Sequence, residues 1–486
     1  MYLVNINHKF HYEMENLLRV FFPEKITVTD EVPDGEDYVL TELSDCITVR
    51  AVIGNEVFED TYFYSENEAD SAELERRMAV IMFNLLAEYT GYTPPWGILT
   101  GVRPAKLMTN LIKEMGEEEA VKYFLEKLLV SEEKTRLALL VSKAENPIIS
   151  AASAPESYSL YISIPFCPTR CSYCSFISHS NESAKKLIPE YVEKLCEELE
   201  ATGDIAKQLG LRLESVYIGG GTPTVLSAHQ LKKITDCVKY NFDLSAIREY
   251  TVEAGRPDSI TSDKLDVIKE SGCTRISINP QTFNDAVLRE IGRQHTAQLT
   301  VDAFNLARSK HFGNINMDLI AGLPTDTLES FENTLNKTIS LSPENITVHT
   351  LSLKRSSNIV TENRRTNSGE LASEMLELCQ KKLTEAGYLP YYMYRQSKCL
   401  GNLENVGWAK KGYEGLYNVY MMEECHTVLS VGAGAVIKLK KPDANEIERI
   451  FNYKYPYEYI SGFEEILKRK EYIYGFYGKS VATGGI

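Results

Sequence analysis

No stretch of this sequence stays apolar for the ~18 residues that a membrane-spanning helix needs. Residues 1–10, MYLVNINHKF, lack the long apolar core and small-residue cleavage site of an export signal, so the expectation is a cytoplasmic protein. Positive charge is short: 52 Lys and Arg face 68 Asp and Glu, a formal net charge of −16. A nucleic-acid partner requires a basic face to neutralise phosphates, and this balance argues against one. A local basic patch is still available for a small anionic substrate. Repeats and low-complexity tracts are missing as well, which excludes solenoids and linkers of biased composition. Cysteine is too sparse for a disulfide framework, at 10 in 486 residues. Cys46, Cys196, Cys237, Cys273, Cys379, Cys399 and Cys425 occur singly and read as small buried apolar residues.

What remains is an ordinary globular composition, 43% hydrophobic and 25% charged, in a chain long enough for two or three domains. Residues 1–150 read as an α+β unit. Strand-like runs at Ile47–Ile53 and Asp60–Tyr64 precede an amphipathic helix from Asp70 to about Thr90. Further helices are expected over Pro104–Met115, Glu117–Leu129 and from Ser131 onward. In Thr100–Lys106 basic residues stand at a helix start, with Pro104 suited to the first turn; the expectation is a packing role, with a docking or lid role as the alternative. The small, polar, Pro-containing stretch Asn146–Glu156 suits a domain boundary.

From Ser157 the pattern alternates short β-rich runs with long helices. Strands are expected at Leu160–Pro165, Ser215–Gly219, Tyr250–Ala254, Thr274–Ile278, Ile315–Ile320 and Ile346–Leu351. Helices are expected at Ile188–Leu209, Ala228–Tyr240, Ser262–Glu270, Leu299–Lys310 and Leu328–Ile339, with Ser227, Thr261 and Asn284 as N-caps. Consecutive βα units imply a parallel sheet with helices outside, either doubly wound or curled into a partial barrel. In both cases a ligand belongs at the carboxyl ends of the strands. Residues 151–366 are assigned to this α/β domain. Residues 367–486, with a helix at Gly369–Ala386 and a Tyr-rich, turn-rich remainder, are assigned to an α+β cap.

The segment Tyr161–Phe176, YISIPFCPTRCSYCSF, sets Cys167, Cys171 and Cys174 at C-x3-C-x2-C spacing just after the first strand. Three thiolates on one loop can ligate three irons of a [4Fe–4S] cube and leave the fourth iron open, as a catalytic cluster needs. A zinc site would want a fourth ligand, for which His179 is the nearby candidate. A structural disulfide needs an even count and an oxidising compartment.

This spacing, with Tyr173 in the aromatic place, resembles the radical S-adenosylmethionine (SAM) superfamily. Downstream, YIGGGTPT (217–224), EAGRPD (253–258), RISINPQTF (275–283), IGRQH (291–295) and NMDLIAGLP (316–324) resemble the oxygen-independent coproporphyrinogen III oxidases and their relatives. With the N-terminal domain included, the chain looks most like the HemZ branch. The resemblance implies a partial (β/α)6 barrel, a [4Fe–4S] cluster on Cys167, Cys171 and Cys174, and one or two SAM molecules cleaved to a 5′-deoxyadenosyl radical. It implies contacts to a first SAM at Tyr161, Gly220, Glu253 and Ser352. Contacts to a second are implied at Tyr173, Gly221, Thr222, Gln281, Arg293 and Asp318. It also implies a tetrapyrrole substrate and an electron donor such as flavodoxin or ferredoxin.

Independently of the resemblance, Gly219–Gly221 would let a bulky ligand approach backbone, and Glu253 and Asp318 are acids in otherwise apolar strands, where burial demands a partner. Two departures stand out. Ser175-Phe176 replaces the further cysteine of the characterised oxidases, and Tyr417–Met422 (YNVYMM) replaces the histidine-bearing motif of the related heme chaperones. The leading expectation is oxidative decarboxylation of two propionates of coproporphyrinogen III, with Arg170, Lys354 and Arg355 as candidate propionate partners. The alternatives are a heme or porphyrin carrier using Tyr417, His426, His349 or His295 as axial ligand, or a radical methylation or heme-opening reaction.

Overall fold

The computed structural model describes residues 1–23, 25–65, 70–152, 156–174, 184, 186–362, 366–396, 398–441 and 446–478. Ser175, Phe176, His179 and part of the expected boundary stretch, 153–155, lie outside the described residues. The chain forms two compact units, residues 1–143 with 393–404 and residues 144–392 with 405–486.

In the first unit, strands β1 (Tyr2–Ile6), β2 (Thr27–Thr29), β3 (Tyr38–Leu43), β4 (Cys46–Ile53) and β5 (Glu56–Phe63) form a sheet in the order β2-β1-β3-β4-β5. Along β4 the alternate residues Ile47, Val49, Ala51 and Ile53 are buried. They pack with Met14, Leu17 and Leu18 of helix His11–Phe21 and Met78, Met82 and Leu86 of helix Ser71–Thr90. The second helix starts where its sequence directs: the Asp70 carboxylate accepts from Ala72 N and Glu73 N, and Gly91 ends it at φ 68°. The segment 393–404 supplies Glu404, buried against Lys134 Nζ at 2.7 Å and Trp96 Nε1 at 2.6 Å.

Two expectations for this region are corrected. The run expected as one helix to Leu129 is α-helical over Glu117–Lys122 and widens to a π turn over Tyr123–Lys127. Helix Glu132–Ala151 also continues through Pro147, so the expected boundary stretch begins inside a helix, while the two units divide just before it, at 143/144. A proline costs one helical hydrogen bond but does not end a helix whose later residues, Ile148 and Ile149, are half-buried.

In the second unit, β6 (Ser157–Ile164), β7 (Arg212–Gly220), β8 (Glu249–Glu253), β9 (Arg275–Ser277), β10 (Ile315–Ala321) and β11 (Asn345–Thr350) pair in parallel, each beside its predecessor in sequence. A doubly wound sheet reverses its order at a switch point, so the sequential order identifies the partial-barrel alternative. Strands β12 (Leu389–Arg395) and β13 (Glu404–Ala409) extend the sheet beyond β11, and β14 (Thr427–Val431), β15 (Val436–Lys440) and β16 (Ile447–Phe451) extend it beyond β6. The expected division at 366/367 therefore falls inside one compact unit that shares one sheet.

Strand alternation sorts the barrel's two faces. Leu160, Ile162, Ile164, Val216, Ile218, Val252 and Ile276 join a core with Leu195, Leu199 and Ile234 of the covering helices. The intervening positions form polar layers instead: Ser159 pairs with Ser215, and Ser215 in turn with Glu249. Ser227 and Asn284 cap their helices as expected, whereas the Thr261 hydroxyl turns to the Asp263 carboxylate and makes no cap bond. Of the scattered cysteines, Cys196, Cys273, Cys379 and Cys399 are buried, while Cys46, Cys237 and Cys425 are only half-buried.

Candidate active site

The cysteine loop leaves β6 at Ile164 and is tied to the barrel mouth through its backbone. Gly221 N donates to Ile164 O at 2.7 Å, Thr222 N to Phe166 O at 2.8 Å and Ser172 N to Ile291 O at 2.9 Å. Gly221 has to be glycine for this approach, because a Cβ there would meet Phe166 O at 2.5 Å and Cys167 Sγ at 3.0 Å. The Thr222 hydroxyl donates to Cys167 Sγ at 3.4 Å, and the Arg256 guanidinium reaches Cys171 Sγ at 3.5 Å. None of the three loop cysteines is in a disulfide. Among the described residues no three His, Cys, Asp or Glu side chains are gathered so as to hold a metal ion. The donor set still fits an iron–sulfur cluster in kind, three thiols on one loop at the carboxyl ends of parallel strands; closure of metal ligands commonly accompanies metal binding.

Around this loop the strand ends carry a connected polar network. Tyr217 donates to Glu253 Oε1 at 2.5 Å, and Tyr161, Tyr217 and Tyr417 stack with ring centroids 4.4–6.2 Å apart. Burial raises the Glu253 pKa to about 7; the Tyr217 hydrogen bond works against this and the neighbouring Asp318 charge works with it. Asp318 behaves oppositely. Burial alone would raise it, but His349, with Asn316 and Thr347, holds its carboxyl below the usual value. His349 Nε2 lies 3.8 Å from Asp318 Oδ2, and Asn316 Nδ2 donates to Oδ1 at 2.7 Å.

Gln281 sits beside β10 at φ 66°, its N–H on Asp318 O at 2.9 Å and its carbonyl accepting from Ile320 N at 3.1 Å. A left-handed glutamine is uncommon, and here the two backbone bonds hold it. Arg293 is buried, with Nη1 on Asn279 O at 2.7 Å and Nη2 on the Tyr173 hydroxyl at 3.2 Å. The buried polar atoms without a hydrogen-bond partner among the described residues include Gln281 Oε1, Arg293 Nε and Ser352 Oγ. Such orphans are costly in a finished interior and mark places where a polar ligand fits.

The structure thus joins Cys167 to Gly221 and Thr222, Glu253 to Tyr217 and the Tyr161 stack, Arg293 to Tyr173, and Gln281 to Asp318. Arg170 commits its guanidinium to Ser356 O at 2.7 Å. Among the candidate axial ligands, His426 is buried with Nε2 2.8 Å from Ser159 Oγ, and burial lowers its pKa to about 3. His295 is buried as well, and burial followed by the Arg293 charge lowers it to about 3. Sequence reasoning did not single out Tyr217 or Arg256 for a role, although both lie inside quoted motifs. It considered Tyr417 only as a ligand, not as a stacking partner.

The radical SAM superfamily model matches residues 161–338, which include the cysteine loop and strands β7 to β10. The oxygen-independent coproporphyrinogen-III oxidase-like protein HemZ of Bacillus subtilis is 35% identical over 95% of this chain and 95% of its own. The chain therefore belongs to the radical SAM superfamily and, within it, to the oxygen-independent coproporphyrinogen-III oxidase-like family. The heme chaperone HemW of the same organism is 36% identical over 57% of this chain and 70% of its own. Among solved structures, the Escherichia coli coproporphyrinogen III oxidase HemN superposes with a TM-score of 0.52 at 24% identity, covering 65% of this chain and 72% of that one, a likeness of fold. Family membership brings with it a [4Fe–4S] cluster and SAM. No described helix is long and apolar enough to cross a membrane.

Proposed function

We propose that this protein is a cytoplasmic radical SAM oxidoreductase of tetrapyrrole metabolism that oxidatively decarboxylates two propionates of coproporphyrinogen III to the vinyl groups of protoporphyrinogen IX. The observation that carries this reading is the extent of the likeness to HemZ, which covers 95% of the chain, against 57% for HemW. In this reading Cys167, Cys171 and Cys174 hold the cluster, and Tyr161, Gly220, Glu253 and Ser352 contact one SAM. Tyr173, Gly221, Thr222, Gln281, Arg293 and Asp318 serve a second. Cluster and SAM together supply a carbon radical able to take a hydrogen atom from the substrate.

The chain's own residues bind and orient. Glu253, with a pKa raised by burial to about 7, takes an ammonium or a hydroxyl at the strand end. Asp318, held ionised by His349, stays an acceptor. Arg293 Nε, Gln281 Oε1 and Ser352 Oγ offer the polar atoms that the fold leaves over. The Tyr161–Tyr217–Tyr417 stack supplies an aromatic wall that excludes water. A flavodoxin or ferredoxin delivers the electron, and an external acceptor takes up the electrons released with carbon dioxide.

Anaerobic incubation with coproporphyrinogen III, SAM and a reductant tests the reading by mass spectrometry. Protoporphyrinogen IX and 5′-deoxyadenosine should appear together, and both should vanish in Cys171→Ala. Formation of 5′-deoxyadenosine with the substrate left intact would refute the assigned reaction. A heme-carrier reading draws on one observation, the buried Tyr417 hydroxyl without a hydrogen-bond partner. A Soret shift on heme addition that disappears in Tyr417→Phe would move the assignment to that class.

A further inference from the structure

We infer that Arg256 raises the reduction potential of the proposed cluster through a charged hydrogen bond to the Cys171 sulfur; the inference rests on the cluster reading above. Arg256 follows β8 in the run Gly255-Arg256-Pro257-Asp258 and is 3% exposed. A guanidinium does not lose its proton in proteins, so burying it requires partners for its charge and its donors.

Every donor is engaged. Nε donates to Asp258 Oδ1 at 3.1 Å and Nη2 to Asp258 Oδ2 at 3.2 Å, a two-point ion pair that leaves the guanidinium cationic. The other Nη2 hydrogen meets Thr169 Oγ1 at 2.9 Å, and one on Nη1 meets Thr169 O at 3.3 Å. The fifth is left for Cys171 Sγ at 3.5 Å. Four bonds thus fix the plane of the guanidinium and aim its last N–H at the sulfur.

Cys167 differs, since its sulfur receives a neutral hydroxyl from Thr222 at 3.4 Å. Hydrogen bonds to ligand sulfurs help to set the potential of an iron–sulfur cluster. A cationic donor draws electron density from the thiolate and favours the reduced, more negative state. Arg256 is accordingly a positioning and tuning residue, supplied from the end of β8 to a loop 85 residues earlier in the chain.

Wild type, Arg256→Gln and Arg256→Lys are reconstituted anaerobically, matched for iron and sulfide, and titrated reductively with EPR detection, without SAM. The Arg256→Gln midpoint should move to a more negative potential. Arg256→Lys should fall between, because an ammonium keeps the charge but does not fill the Asp258 fork while aiming at the sulfur. A residue that merely braced Thr169 would leave the midpoint alone, so a loaded Arg256→Gln at the wild-type potential overturns the inference. If Arg256→Gln holds no cluster, Arg256→Lys decides: a negative shift supports the inference and a wild-type value overturns it. A wild-type chain that binds no cluster overturns the cofactor reading itself, and this inference with it.

Discussion

Replacing Glu253 with Gln should stabilise the cofactor-free protein, and by more as the pH rises. Burial raises the Glu253 pKa to about 7, from 4.5 for an unperturbed glutamate. The folded state therefore binds the proton more tightly than the unfolded chain does. The stability that protonation contributes is full below the unfolded pKa and is lost as pH climbs through the folded one. At 1.36 kcal/mol per unit, ionising Glu253 in the fold costs about 3 kcal/mol once both states are charged. Gln resembles the neutral carboxyl and escapes that cost. Between about pH 5.5 and about pH 8 the advantage of Glu253→Gln over wild type should grow by about 2 kcal/mol. Denaturant unfolding of both proteins at the two pH values, without cluster or SAM, measures it. An advantage that does not change with pH would refute the reasoning.

Cys171→Ala should yield, after anaerobic reconstitution, a protein with less iron, without the brown absorbance of the wild type and without 5′-deoxyadenosine formation. Gly221→Ala should destabilise by about 1–3 kcal/mol through overpacking against Phe166 O and Cys167 Sγ and should lower cluster occupancy. Thermal unfolding of both glycine variants checks this: Gly313→Ala, where an added Cβ meets nothing within 4 Å, should be neutral. Lys470→Met should cost about 3–5 kcal/mol, because it strands the fully buried Glu198, whose carboxylate lies 3.0 Å from Lys470 Nζ. Chemical denaturation compared with Lys468→Met, at a position facing solvent, isolates that cost.

Much of the barrel was readable because helix and strand periods differ. Helix Ser262–Glu270 ends at both expected residues, and Ile188–Leu209 does as well. The first strand of the N-terminal unit and helix His11–Phe21 gave weaker signals and were missed, since the helix has no side-chain cap. Pro147 misled because a proline limits one hydrogen bond locally while packing decides whether the helix continues. The polar inner layers of Ser159, Ser215 and Glu249 were also hidden, because a serine in a strand does not announce which face it takes.

The cysteine spacing, the glycine run and the order of the motifs are local properties of the chain. They sufficed to indicate the barrel class, the loop that could carry a cluster and the strand ends that could receive SAM. Side-chain encounters across the barrel mouth are not local. Tyr217 meeting Glu253, Gln281 strapped to β10 in a left-handed conformation, and Arg256 reaching Cys171 from 85 residues away depend on strand register and loop closure. Those are decided by packing of the whole sheet, where burial turns a glutamate's ordinary acidity into a group that titrates near neutrality.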